Sequence, residues 1–275
     1  MPAASSRRPR SPCSSRACVP EREPRRAAHC THHGPARPRA TAPDRSTTRT
    51  CGAALAVLAL LITASAHAED STCYGTPAQG RLEGGVPIER SGKNFAPYSE
   101  LGVSLGRTHV HARVARVVSA AYASLATSRP ELTFVYGESG WPRGGSIAPH
   151  RTHQNGLAVD FMVPVRNAAG RAVPLPTSIT NKFGYAIEFD RNGRDGEFSI
   201  DFEALAAHLH AIDVAARAEG IGVARVILDP AYLPKLYATS RGAFIREHVT
   251  FMRSQPWVRH DEHYHIDFAV ACKPM

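Results

Sequence analysis

The sequence has no apolar run long enough to cross a bilayer. Its longest, residues 53–62, is ten residues long, about half of what a spanning helix needs. The body of the chain also lacks the basic surplus that the overall charge of +9 suggests. Residues 1–50 hold eleven Arg, no Lys and three acids, and beyond Thr50 only 22 basic residues face 21 acidic ones. A nucleic-acid binder carries its positive charge on the folded part, so nucleic acid is excluded as a partner. There is no internal repeat. Asp190-x-Asn192 opens like a calcium loop, but Arg194 and Asp195 stand where a ligand and a glycine are required, which excludes that site. Cysteine is scarce as well: of six, only Cys73 and Cys272 lie beyond residue 68.

What is present near the start has the order of an export signal. The apolar run follows Arg49 and precedes Ala66-His67-Ala68, a small-x-small cleavage pattern. Residues 51–68 are therefore expected to be a signal peptide. Residues 1–50 are either a disordered Arg/Pro/Ser-rich extension or the product of a start codon set too far upstream. Arg7-Arg8 and Arg25-Arg26 lie too far from the run to make a good twin-arginine signal. After cleavage no stable membrane anchor is expected. Cys73 lacks the small-apolar tripeptide that precedes a lipidated cysteine. The two remaining cysteines predict one disulfide joining the ends of an exported domain, with two free thiols as the alternative.

Residues 69–275 suffice for one domain with a proper core. Residues 69–108, rich in Gly, Pro and Ser, are expected to wrap the surface. Apolar spacing over 111–126 predicts a helix ending before Pro130. Residues 132–136 and 157–162 read as strands, with Leu157, Val159 and Phe161 on one face and Asp160 on the other. Segments 185–190 and 197–202 flank Asn192-Gly193 and Asp195-Gly196 as a hairpin would. Asp201 caps a helix running to about Gly220, with Leu205, Leu209, Ile212 and Ala216 on one side. Residues 223–228 predict a strand and 230–236 the start of a helix. The fold class is α+β: a single domain with a mainly antiparallel central sheet flanked by helices.

Chemistry concentrates in two segments. The first runs from Thr152 to Asp160 and places His153 and Asp160 seven positions apart, with Gly156 available for a sharp turn. The second is Trp257 to Phe268, where polar and apolar residues alternate strictly from His263. On a strand His263, His265 and Asp267 share one face while Tyr264, Ile266 and Phe268 face the core. Two imidazoles and a carboxylate are the donor set of a catalytic zinc that keeps one position for water, here on the sheet face. One histidine of the pair can bind metal while the other reaches the water, which zinc makes more acidic. His263 is the expected proton acceptor, with His260 as supporting partner or second proton handler. Asp267 is either a ring-orienting carboxylate or an ordinary exposed strand residue. His208 and His210, on the predicted helix, read as surface or core residues, and His109 and His111, opening another, are equally unconvincing as ligands.

At these residues the chain resembles the penicillin-insensitive murein endopeptidases, relatives of lysostaphin, the D-alanyl-D-alanine metallopeptidases and the hedgehog signalling domain. The similarity runs through Gly144-Gly145, His150, Thr152-His153-Gln154, Gly156-Leu157, Val159-Asp160, Asp229-Pro230-Ala231, Pro256-Trp257, His260 and His263-x-His265. It implies a periplasmic zinc enzyme that cleaves the D-alanyl–diaminopimelyl cross-links of peptidoglycan. It also implies zinc ligands at His153, Asp160 and His265, and further active-site histidines at His260 and His263. No acylatable serine is needed, so β-lactams have no target.

Two departures follow. Relatives can hold a second, inter-subunit metal through the histidine matching His150 and an Asp-Gly-x-His segment. Here that segment is Asp195-Gly196-Glu197-Phe198, so one zinc is expected and the oligomeric state stays open. Glu262 stands three residues before His265, the Glu-x-x-His spacing of the general base in the related carboxypeptidases and dipeptidases. That spacing offers an alternative reading as an enzyme trimming stem peptides, although Glu262 is expected to be solvated on the opposite strand face. A non-catalytic, zinc-stabilised wall-binding module is the third reading.

Overall fold

The computed structural model describes residues 71–254 and 256–275. The basic extension and the export signal expected over residues 1–68 lie outside the described residues. The described chain opens with a hairpin of β1 (Thr72–Thr76) and β2 (Gln79–Glu83), followed by β3 (Val86–Pro87) and β4 (Phe95–Pro97). Helix α1 (Glu100–Ser104) is capped by Ser99, whose hydroxyl accepts from the Gly102 N–H, and β5 (His109–Val110) pairs back with β3.

α2 (Ala112–Ser128) buries Val114, Val117, Val118, Ala121, Tyr122 and Leu125, the spacing read from the sequence. It begins at His111, whose Nδ1 accepts from the Arg113 N–H, and stops just short of Pro130, which cannot continue a helix. β6 (Phe134–Tyr136) and β7 (Ala158–Met162) follow as expected, each one or two residues shorter. A small sheet is built from β8 (Val165–Asn167), β9 (Ala172–Val173), β10 (Arg194–Asp195) and β11 (Phe198–Ile200), in the order β10-β11-β8-β9. The hairpin anticipated over 185–202 is thus displaced. Asp190 Oδ1 accepts from the Asn192 and Arg194 N–H groups and closes a turn of its own, so the paired strands start only at Arg194.

α3 (Phe202–Ala218) is capped by Asp201, which accepts from the Ala204 N–H at 3.0 Å. After β12 (Gly222–Ile227) the chain makes a 3-10 turn at Pro230–Tyr232 and two short helices, α4 (Leu233–Tyr237) and α5 (Gly242–His248). β13 (His263–Ala269) closes the main sheet, whose order is β12-β13-β7-β6-β4. All of its pairings are antiparallel except β4 beside β6. That edge corrects the expectation that residues 69–108 merely wrap the surface. Phe95 stacks on Tyr122 of α2 at 4.4 Å, and Asn94 Nδ2 donates to the Tyr122 carbonyl. A three-residue strand is too short for period-two alternation to show.

One face of the sheet packs on helix α3. Tyr264 and Phe161 close around His208 of that helix, and the Tyr264 hydroxyl lies 2.7 Å from His208 Nδ1. The opposite face, carrying Asp160, His263, His265 and Asp267, is buried by loops, so β13 is covered on both sides for its first six residues. The ends of the domain meet in the Cys73–Cys272 disulfide, across 199 positions. The Lys273 N–H donates to the Cys73 carbonyl, and the Gly75 N–H donates to that of Lys273.

Two expectations follow from this packing. Replacing both cysteines by serine should lower the unfolding free energy by up to about 5 kcal/mol, read from urea titrations under oxidising and reducing conditions. Burial pushes the His208 pKa down to about 3. The unfolded chain therefore takes up the proton first, and the stability this group carries near neutrality is lost as pH falls below about 6.5. In His208→Gln the loss of stability between pH 6.5 and pH 5 should be smaller than in the parent by about 2 kcal/mol.

Candidate active site

The register of β7 against β13 sets Asp160 directly opposite His265. Cross-strand partners share a face, and His265 Nδ1 lies 2.9 Å from Asp160 Oδ1. On the far side of the ring, Nε2 lies 2.8 Å from Asp267 Oδ1, and Arg225 from the neighbouring strand holds the other Asp267 oxygen. Asp267 is therefore a buried, ring-orienting carboxylate, the first of the two readings open for it. Held between two carboxylates, the His265 ring has its pKa raised to about 9 against its burial.

His153 arrives from the loop before β7. It has a φ of 72°, rare outside glycine, and such strain is tolerated where surrounding structure fixes a functional side chain. Gly156 at φ 74° makes the turn back, with no room for a Cβ: one would sit 2.9 Å from the His111 nitrogen. His153 Nδ1 faces the Ala158 carbonyl at 3.3 Å, which sets the proton there and leaves Nε2 aimed at Asp160 Oδ1, 3.4 Å away. Two ring nitrogens thus converge on one carboxylate oxygen. Asp160 is fully buried, yet His153, His263 and His265 outweigh the desolvation and hold its carboxyl well below the usual range.

The second oxygen of Asp160 faces a different set. The Tyr185 hydroxyl donates to Oδ2 at 3.1 Å, while His150 Nδ1 and His263 Nε2 lie at 3.6 and 3.9 Å. His150, His153 and Asp160 each offer a ligand atom within 4.8 Å of the others, a group able to hold a metal ion. His150 Nε2 is taken up by Glu138 at 2.7 Å, and Glu138 is gripped by Arg107 through two hydrogen bonds and by the Tyr98 hydroxyl. Although burial opposes ionisation, His150 and Arg107 pull the Glu138 carboxyl down to about 2. The same contact and Asp160 raise the His150 pKa against its burial.

His263 and His260 stand beside this centre with rings 4.6 Å apart. Burial drives both to about 4, so they are neutral imidazoles near pH 7. His260 Nδ1 faces the Val258 carbonyl at 3.0 Å, and His263 Nδ1 faces Glu262 Oε1 at 2.8 Å. Glu262 is not solvated: it is 5% exposed and lines the cleft, and burial lifts its carboxyl to about 7. β13 begins only at His263, so the alternation that would turn Glu262 outward does not reach it.

Glu138, His150, Asp160, His260, Glu262, His263 and His265 line a cleft of about 550 Å³, walled also by Tyr98, Phe183, Tyr185 and Trp257, while His153 is buried outside that lining. Of the expected site residues, His153, Asp160, His260, His263 and His265 all come together. Asp195 lies in the β10–β11 hairpin, outside the cleft wall. His109, His111 and His208 serve turns, a helix cap and the core. Sequence reading missed Tyr185, Glu138, Arg107 and Tyr98. Only Glu138 carried a signal, as an acid just past a strand in a Gly-rich loop, where functional groups gather.

A buried carboxylate met by oriented imidazoles, with neutral histidines alongside in an open cleft, defines the class as a hydrolase with a candidate metal centre. The family of penicillin-insensitive murein endopeptidases matches residues 73–274. The chain belongs to that family, as its motifs imply, and is a peptidase of the murein-cleaving kind. A search of curated proteins finds no match.

The tight fit of Gly137 makes the Tyr185 contact testable. A Cβ there would come within 2.6 Å of Tyr185 Oη and 2.9 Å of Asp160 Cβ. Gly137→Ala should displace the hydroxyl and cost about 1–3 kcal/mol of stability. Metal retention in a chelator titration should weaken about 10–100-fold.

Proposed function

We propose that the protein is an exported zinc endopeptidase that hydrolyses the D-alanyl–diaminopimelyl cross-links of peptidoglycan in the periplasm. The observation that carries this reading is the convergence of His153 Nε2 and His265 Nδ1 on Asp160 Oδ1, at 3.4 and 2.9 Å. Two imidazoles and one carboxylate, with a free side towards the cleft, suit zinc. A zinc ion on these three residues would polarise the scissile carbonyl and lower the pKa of a water. His263 would take the water proton on Nε2 and return it to the leaving amine, with His260 as its neighbouring proton handler. The hydroxyl of Tyr185 keeps the second oxygen of Asp160 hydrogen-bonded.

The family match favours an endopeptidase over a trimming enzyme. Two smaller depressions share walls with the cleft, one at Tyr98 and Phe183 and one at Trp257 and His260. Export is supported by the disulfide, which belongs in an oxidising compartment. Among the described residues no helix is long and apolar enough to cross a membrane.

A second ligand reading has its own observation: His150 also approaches Asp160 and groups with His153. Metal analysis of purified variants separates the two. His153→Ala and His265→Ala should lose the ion while His150→Ala keeps one equivalent; the reverse result for the last two would move the third ligand to His150. His263→Ala should keep the metal and lose about 10²–10⁴-fold in turnover. Mass spectrometry of cross-linked muropeptide dimers should show zinc-dependent conversion to intact monomers. Release of terminal D-Ala from uncut dimers would instead establish the trimming reading, and no reaction a wall-binding module.

A further inference from the structure

We infer that Glu262 is a positioning residue that holds His263 in the tautomer and orientation needed to accept a proton in the cleft. This rests on the role proposed above for His263. Glu262 Oε1 lies 2.8 Å from His263 Nδ1, and both side chains are almost wholly buried. An imidazole that donates its Nδ1 proton to a carboxylate carries its lone pair on Nε2. That atom is on the cleft side of the ring, 3.9 Å from Asp160 Oδ2.

Neighbouring residues on a strand point to opposite faces, so a contact between side chains 262 and 263 requires the chain to leave strand geometry between them. It does: β13 starts at His263, and Asp261 and Glu262 form a bend just before it, although the Glu262 carbonyl still accepts from the Val163 N–H in register with β7. The acidic step is braced on its other side too. Asp261 accepts from the Phe189 N–H at 2.7 Å and is paired with Arg259.

Asp160, His150, His260, His265, Asp261 and Tyr185 also face His263, by charge or ring contact. Glu262 is the carboxylate bonded to Nδ1. His260, the other histidine of the pair, has only a backbone carbonyl there. The two imidazoles are thereby made unequal. As the water oxygen adds to the scissile carbonyl carbon, Nε2 takes its proton, and the imidazolium that forms is paired with the ionised form of Glu262. As the peptide C–N bond breaks, the proton passes to the amine nitrogen and the ring is neutral again.

The test uses the purified, zinc-loaded protein with cross-linked muropeptide dimers. Glu262→Gln should keep its metal and its melting temperature, leave KM within a few-fold, and lower kcat about 10²–10⁴-fold. In a His263→Ala background the same change should cost nothing further. Unchanged kcat in Glu262→Gln, loss of the metal, or an equal loss with and without His263 would each overturn the positioning role. Full activity in His263→Ala alone would instead remove the function assigned to His263. Should Glu262→Gln fail to fold, the ¹⁵N spectrum of the unsubstituted protein reads the same contact. A neutral His263 protonated on Nδ1 is expected, and protonation on Nε2 overturns the inference.

Discussion

A carboxylate wholly removed from water has to be balanced where it sits, and in this protein Asp160 imposes that condition on everything around it. Desolvating an unpaired charge is among the costliest things a fold can do. The main sheet meets the cost by register: the strand that carries Asp160 is paired so that His265 stands across from it. A slip of one residue would turn the carboxylate to the helix-packed side, away from His153, His263 and His265. Fold and site are therefore specified by the same pairing.

Around that charge the histidines divide by what their outward nitrogen touches. His265 has Asp267, His150 has Glu138, His263 has Glu262, whereas His153 and His260 have only backbone carbonyls. A carboxylate behind an imidazole favours positive charge on the ring, as at His150 and His265, whereas burial keeps His263 and His260 neutral. Five similar side chains are thus set apart by burial and by what their outward nitrogens touch.

Much of this was legible in the sequence because it depended on periodicity or on one residue's intrinsic habit. The helices over 112–128 and 202–218 announced themselves through apolar spacing, with Asp201 and Pro130 marking limits. The alternation from His263 to Phe268 located the strand and its polar face. The short elements were not legible. Phe95–Pro97 is held in the sheet by stacking on Tyr122, a contact between distant segments, and the hairpin near residue 195 was moved by the side chain of Asp190. Glu262 was misjudged for a related reason: alternation says nothing about the residue before a strand begins. Tyr185, 25 positions from Asp160, enters the site through a contact with no local trace.

The N-terminal hairpin has a bearing on the order of assembly. Its Pro77 carbonyl accepts from the Gln154 N–H, its Leu82 N–H donates to Arg143, and the Asn155 side chain rests on Cys272. The loop presenting His153 is therefore wedged between the first and last segments of the domain. His265 reaches Asp160 across 105 positions of sequence, so the centre exists only once the last strand has paired with the one that carries the carboxylate.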